Sequence, residues 1–352
     1  MSSQEERLER LDLQPWHQHD FANRIRSISK TMTHKIRPFT FTDTDYHAAV
    51  NLRNTLYPDI QTTVEIWKHN DQSRRKDPSY YFFVAEGLNG NILAFAQCSK
   101  TNPTSYKFSV GIVGRPETWS NEVANDLLQA VKTAAADHQS AALVLKVQES
   151  DTHKLNFLIA QRFKKIMRYP LSALKVASFD AAHFKDKVAQ AAASGITVSQ
   201  MPPSWHLSPK QQKFIHELDW QLMLDVPHHE AREKKSLELF LADEVFHPNA
   251  FPESYFIAWD NNQNNQAVGM TCFVKRGGKV EAISTAITGV MRSHRRKGIA
   301  TALKTASIEF AKTVGCQTVI TNNEENNPMY LINQQLGFEA RPAWLDMELD
   351  LT

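Results

Sequence analysis

The chain has 352 residues, of which 42% are hydrophobic and 22% charged; this excludes a disordered or fibrous polypeptide and leads us to expect two domains of roughly 150 residues. Forty Lys and Arg against 38 Asp and Glu leave a formal charge of +2, too small for a surface-wide nucleic-acid or acidic-membrane footprint, so any anion site must be local. Cys98, Cys272 and Cys316 are odd in number, lie far apart and form no CxxC pair, which argues against a disulfide framework or a metal site and fits a reducing cytoplasm. No apolar leader opens the chain, and no run approaches the roughly 18 apolar residues of a membrane span, so a cytoplasmic protein without membrane contact is expected.

Residues 1–34 are polar, with a short helical stretch around Glu5 to Leu13, and read as an arm. From Lys35 the texture changes. "KIRPFTFTD" predicts a strand and turn, "DYHAAVNLRNTL" a helix, and "YYFFVAEG" with "ILAFAQCSK" a hairpin across "LNGN". "KFSVGIVG" predicts a strand, "NEVANDLLQAVKTAAAD" a helix with Val123, Leu127, Val131 and Ala134 on one face, "AALVLKV" a buried strand, and "KLNFLIAQRF" a short helix.

The second half repeats this order. "GITVSQM" predicts a strand, the segment from about Pro209 to Glu244 is mostly helical, and "SYFIAWD" with "AVGMTCFVK" forms a hairpin across "NNQNNQ". A strand over Glu281 to Val290, a helix over Gly298 to Val314 ended by Gly315, the strand "CQTVIT" and a helix ending in "LGF" follow. Leu303 and Leu128, Val319 and Val144, and Phe338 and Phe163 all stand 175 positions apart. This constant offset indicates a tandem duplication, with one domain over residues 35–180, a second over 190–352 and a linker in the Ala-rich stretch 187–195.

The stretch "RSHRRKGIATALK", residues 292–304, puts basic side chains in front of a glycine and passes straight into a helix. The free N–H groups and positive dipole end of that helix make an anion site. A side chain at Gly298 would hold a diphosphate away from those amides, small Ala300 continues the close approach, and Arg295, Arg296 and Lys297 add charge. No GxxxxGK[ST] follows a strand and no GxGxxG is present, so P-loop and dinucleotide sites lack their defining geometry.

The order strand, R-x-x-G-x-A, helix, strand, N-x-x-x-N, helix, L-G-F resembles the GNAT N-acetyltransferase superfamily, most clearly over residues 281–338. The resemblance implies an α/β fold with mixed sheets, arranged as two tandem GNAT-like acyltransferase domains. It implies acetyl-CoA as cofactor, with its pyrophosphate on Arg295, Arg296, Lys297, Gly298, Ile299, Ala300 and Thr301, where Ala300 replaces the more frequent final Gly. Asn326 falls where the family contacts the pantetheine arm, and Gly289 and Val290 fall where a splayed strand binds that arm and a backbone N–H polarises the thioester carbonyl.

In the first half Gly298, Arg295, Arg296 and Asn326 map to Val123, Ser120, Asn121 and Asp151, so the resemblance implies a degenerate N-terminal copy of the kind known in tandem GNAT proteins. Glu281 is a candidate base, with a water held by Ser284 and Thr288 as the alternative. Many family members carry a tyrosine that serves as general acid where this chain has Asn333; Tyr330, one turn earlier, is the substitute candidate. The resemblance also implies that the stretch 242–256 lines the acceptor pocket, with Glu244 and Glu253 attracting an amine; packing as a hydrophobic loop is the alternative. The expected activity is acetyl-CoA-dependent N-acetylation of a small-molecule amine. An acyl-CoA-binding regulatory protein with little catalysis, and a protein or RNA N-acetyltransferase, stand as alternatives. No nucleic-acid partner is expected, and the oligomeric state has no signature.

Overall fold

The computed structural model describes residues 33–352 other than Arg75, Lys76, Pro103 and Thr118, so the arm and its helical stretch at Glu5 to Leu13 lie outside the described residues. The chain divides into two compact units interleaved in sequence. Among the described residues, unit 1 holds residues 33–146, 153–164 and the last six, Met347–Thr352; unit 2 holds residues 147–152 and 165–346.

In unit 1, β1 (His34–Pro38), α1 (Asp43–Leu56), α2 (Val64–Arg74), β2 (Tyr81–Gly87), β3 (Ile92–Lys100), β4 (Lys107–Gly114), α3 (Asn121–Asp137), β5 (Ala142–Gln148) and α4 (Thr152–Ala160) follow in order. The strands run β1-β2-β3-β4-β5, antiparallel up to β4 and parallel between β4 and β5. The apolar positions predicted on one face of α3 are buried, Val123, Leu127, Val131 and Ala134 among them. Phe39, Trp67, Phe82 and Phe95 fill a second cluster beneath α1.

Unit 2 continues with β6 (Lys164–Lys175), α5 (Lys185–Ala193), β7 (Ile196–Gln200) and α6 (Pro209–Met223), then α7 (Leu237–Phe240), which runs on as a π turn over Leu241–Val245. β8 (Phe256–Asp260), β9 (Gln266–Arg276), β10 (Lys279–Val290), α8 (Ile299–Thr313), β11 (Thr318–Asn322), α9 (Pro328–Gln335) and β12 (Glu339–Asp350) complete the chain. The strands lie in the order β6-β11-β10-β9-β8-β7. The Ala-rich stretch read as a linker is helix α5, as its run of strong helix formers explains. Its Ala191 is buried in one cluster with Leu303 of α8.

Two features of unit 2 shape the site. β10 and β11 pair in parallel only over Ala282–Ser284 and Thr318–Ile320, so β10 runs on from Thr285 to Val290 past the end of that pairing. β10 also carries a bulge: Thr285 pairs with Phe273 and Ile287 with Cys272, which leaves Ala286 as the extra residue. The strict alternation that would put Ser284, Ala286 and Thr288 on one face therefore breaks at Ala286.

Helix α6 closes on this part of β10. A Cβ at Gly289 would lie 2.8 Å from Leu222 Cβ, so glycine there lets the helix approach the strand. Leu222 is buried with Leu218, Tyr255, Cys272 and Ile287. Burial of a leucine of this kind contributes about 2 kcal/mol.

Candidate functional site

The helix mouth predicted from residues 292–304 forms at the open end of β10. Gly298 is the N-cap of α8 at φ +78° and makes no side-chain cap. The first intrahelical bond runs from Ala302 N–H to the Gly298 carbonyl at 3.0 Å, so the amides of Ile299, Ala300 and Thr301 precede it and face outward along the helix axis. Glycine has a second reason to stand here besides room for a ligand. A Cβ at 298 would lie 2.3 Å from the Lys187 carbonyl oxygen of α5. Gln190 of the same helix donates to the Arg296 carbonyl at 3.4 Å, so the presumed linker braces the loop.

A cavity of about 760 Å³ opens at this point. Gly289, Val290, Arg295, Arg296, Gly298, Ile299, Ala300, Thr301 and Asn326 all line it, with Leu222, Asp225, Thr288, His294 and Glu324. Lys297 stands outside the lining, and so do the three catalytic candidates. Glu281 is exposed at the far end of β10, about 26 Å of strand from Gly289. Asn333 is fully buried, and its amide donates to Asn323 Oδ1 at 2.6 Å, a bond that ties α9 to the end of β11. Tyr330 is half-buried on α9, between the cavity-lining residues Met329 and Ile332. The structure thus gathers nine of the predicted binding residues and none of the predicted acid–base groups.

Asp225, His294 and its partner Asp260 escaped sequence reading. Asp225, just past α6, accepts from Arg292 Nε at 2.7 Å and from Arg295 Nη2, and these guanidinium bonds, Arg292 first, hold its carboxyl below the usual carboxylate range. Arg295 also donates through Nε to the Val290 carbonyl at 3.0 Å, so its plane is fixed between the strand end and Asp225. Arg296 is exposed at the cavity edge. Buried His294 pairs through Nε2 with Asp260 at 3.0 Å and anchors the basic loop to β8. His294 was inside the quoted basic motif, but its partner lies 34 positions away and no local signal marks it.

Unit 1 has a cavity at the corresponding place. Its lining includes Asn121, Asn125 and Phe157, each 175 positions before Arg296, Ala300 and Ile332 of the larger cavity. It measures about 350 Å³, and Gln161 donates to Asn125 at 2.9 Å within it. Ser120 caps α3 by accepting from Val123 N–H at 3.1 Å, so the helix mouth there uses its own side chain where α8 has bare glycine. Among the described residues no group of His, Cys, Asp and Glu is placed to hold a metal ion, and no helix is long and apolar enough to cross a membrane.

Residues 46–161 and 214–338, together more than half of the chain, match the Acetyltransferase (GNAT) family. The chain belongs to that family. The two matched segments also make it a tandem GNAT protein, with mixed α/β architecture in both units. A tandem GNAT protein from the clavulanic acid biosynthesis pathway is similar at TM-score 0.68 and 16% identity, over 90% of this chain and 98% of that one. A GCN5-related N-acetyltransferase from Sphaerobacter thermophilus is similar at 0.65 and 14%, over 90% and 95%. A glucosamine N-acetyltransferase region of a fungal multi-domain GH3 β-N-acetylglucosaminidase is similar at 0.65 and 10%, over 90% of this chain and 38% of that one. At these identities the likeness is one of fold. No curated relative matches the chain.

Proposed function

We propose that unit 2 is an acetyl-CoA-dependent N-acetyltransferase acting on a small-molecule amine, and that unit 1 binds no cofactor. The observation that carries this reading is the meeting, in one cavity, of an uncapped helix N-terminus and a strand end that runs on past its neighbour. The residues present fit acetyl-CoA: the amides of Ile299, Ala300 and Thr301 with Arg296 suit a diphosphate, and the β10 backbone from Thr285 to Val290 suits the amide-bearing pantetheine arm. When bound, acetyl-CoA supplies an activated acyl group on a thiol that leaves readily near neutral pH.

The chain's own part is to bind and orient. Leu222 and Gly289 bring α6 and β10 into contact beside the end of the strand, while Arg295, held by Asp225 and Val290, frames the cavity wall. In unit 1 the serine cap and the Asn125–Gln161 bond occupy the corresponding groove, which supports a scaffold role. A panel of primary amines incubated with acetyl-CoA and the protein is expected to give free-thiol release with at least one acceptor. Binding of the cofactor with no thiol release on any amine would favour the binding-protein alternative.

A further inference from the structure

We propose that Glu324 is a positioning residue for the cofactor arm: it fixes the amide of Asn326 so that the carbonyl Oδ1 of that side chain is what meets the ligand, as an acceptor for an N–H. The assignment rests on the acetyl-CoA reading above.

The loop that carries both residues joins β11 to α9 and lines the cavity through Glu324, Asn326 and Asn327. Its backbone is tied down on both sides. Asn323 N–H donates to the Pro170 carbonyl at 3.4 Å and Glu325 N–H to the Arg168 carbonyl at 3.1 Å, both on β6. Asn327 N–H donates to the Glu324 carbonyl at 2.9 Å, and Asn327 Oδ1 accepts from Met329 N–H at 2.9 Å as the cap of α9. With the backbone held, the freedom left at Asn326 is that of its exposed side chain.

Glu324 removes that freedom. Its carboxylate takes two bonds from one residue: Asn326 N–H donates to Oε2 at 3.0 Å, and Asn326 Nδ2 donates to Oε1 at 2.8 Å. An asparagine amide can be turned over with little change of shape, and only its partners decide which end points where. An ionised carboxylate accepts and never donates, so it admits the nitrogen and turns the oxygen away. Among the described residues Asn326 Oδ1 makes no hydrogen bond. The cavity wall therefore presents an acceptor at this point, held in place before a ligand arrives.

That sense is selective. The pantetheine arm carries secondary amides, whose N–H groups suit Oδ1, whereas a carbonyl or phosphate oxygen there would set lone pair against lone pair. The bonding of Glu324 also differs from that of the acidic groups around it. Glu325 takes Arg168 at 3.5 Å, and Asp225, the other carboxylate of the cavity lining, is held by Arg292 and Arg295. Glu324 instead bonds neutral donors two residues away, so what it supplies is the orientation of Asn326 rather than a charge pair.

The test titrates the full chain with coenzyme A and with ADP, which carries a diphosphate but no arm, for wild type, E324A, E324Q, N326A and the double variant E324A/N326A. Coenzyme A affinity is expected to fall about 10-fold in E324A and in N326A, the effect of one lost hydrogen bond. The double variant should be no weaker than N326A, because both residues act through a single contact. E324Q should recover part of the loss, since its amide oxygen can still accept from Asn326 Nδ2. ADP affinity should match wild type in every variant. Equal losses on coenzyme A and ADP would mean that the loop has collapsed and would overturn the positioning role. Wild-type coenzyme A affinity in E324A, or losses that add in the double variant, would overturn it too. Each of those results leaves the cofactor reading standing, whereas failure of the wild-type chain to bind coenzyme A would remove both.

Discussion

Replacing Ala300 by Glu is expected to weaken coenzyme A binding by at least 100-fold, about 3 kcal/mol, while the fold survives. Ala300 is the second residue of α8 and lines the cavity at the level of the outward amides. A carboxylate in the first turn of a helix is compatible with the dipole, so the substitution does not penalise the helix itself. It does place a negative charge and about four extra heavy atoms, beyond the methyl carbon, in reach of the same N–H groups, where a diphosphate must sit. Two like charges about 4 Å apart at a protein surface repel by about 4 kcal/mol, enough to account for the loss. The matched control is Asn125→Glu, since Asn125 stands 175 positions earlier, is exposed and lines the smaller cavity of unit 1. N125E should leave coenzyme A affinity unchanged in titration calorimetry; equal losses from both variants would mean that the two helix mouths are not functionally distinct. Val123, the positional twin of Gly298, is less suitable for this control because it is 4% exposed and a charge there would be buried.

Gly298→Ala is expected to destabilise unit 2 by on the order of 3 kcal/mol or more, through two separable causes. The residue sits at φ +78°, where a side chain is strained, and its Cβ would lie 2.3 Å from a backbone oxygen of α5, which cannot swing aside as a flexible side chain could. Gly315→Ala isolates the first cause. Gly315 has φ +77° with nothing within 4 Å of the added carbon, so its cost should be only the left-handed penalty of about 1 kcal/mol. Urea unfolding of both variants gives the difference. Equal midpoints would mean that α5 does not press on the helix mouth, and a loss of coenzyme A binding in G298A could then be read as steric exclusion alone.

The helix mouth and its flanking strands were legible because their signals are local. Glycine after a basic run, an apolar period in the next turns and a downstream Asn need no knowledge of distant contacts, and Gly289, Gly298, Ala300 and Asn326 do line one cavity. The 175-residue offset was legible for the same reason and reappears in the paired linings of the two cavities. What sequence could not show is set by tertiary packing. The Ala-rich stretch looked like a linker because alanine marks both helices and spacers, and only the contact of Lys187 and Gln190 with the loop at 296–298 identifies α5 as a brace. Alternation along β10 failed at Ala286 because a bulge depends on the partner strand's register.

The central claim is that one cofactor binds, at the mouth of α8. Calorimetric titration of the wild-type chain with coenzyme A tests it most directly. The predicted result is one equivalent per chain, abolished by A300E and retained by N125E; two equivalents, or a single site lost in N125E and kept in A300E, would contradict it.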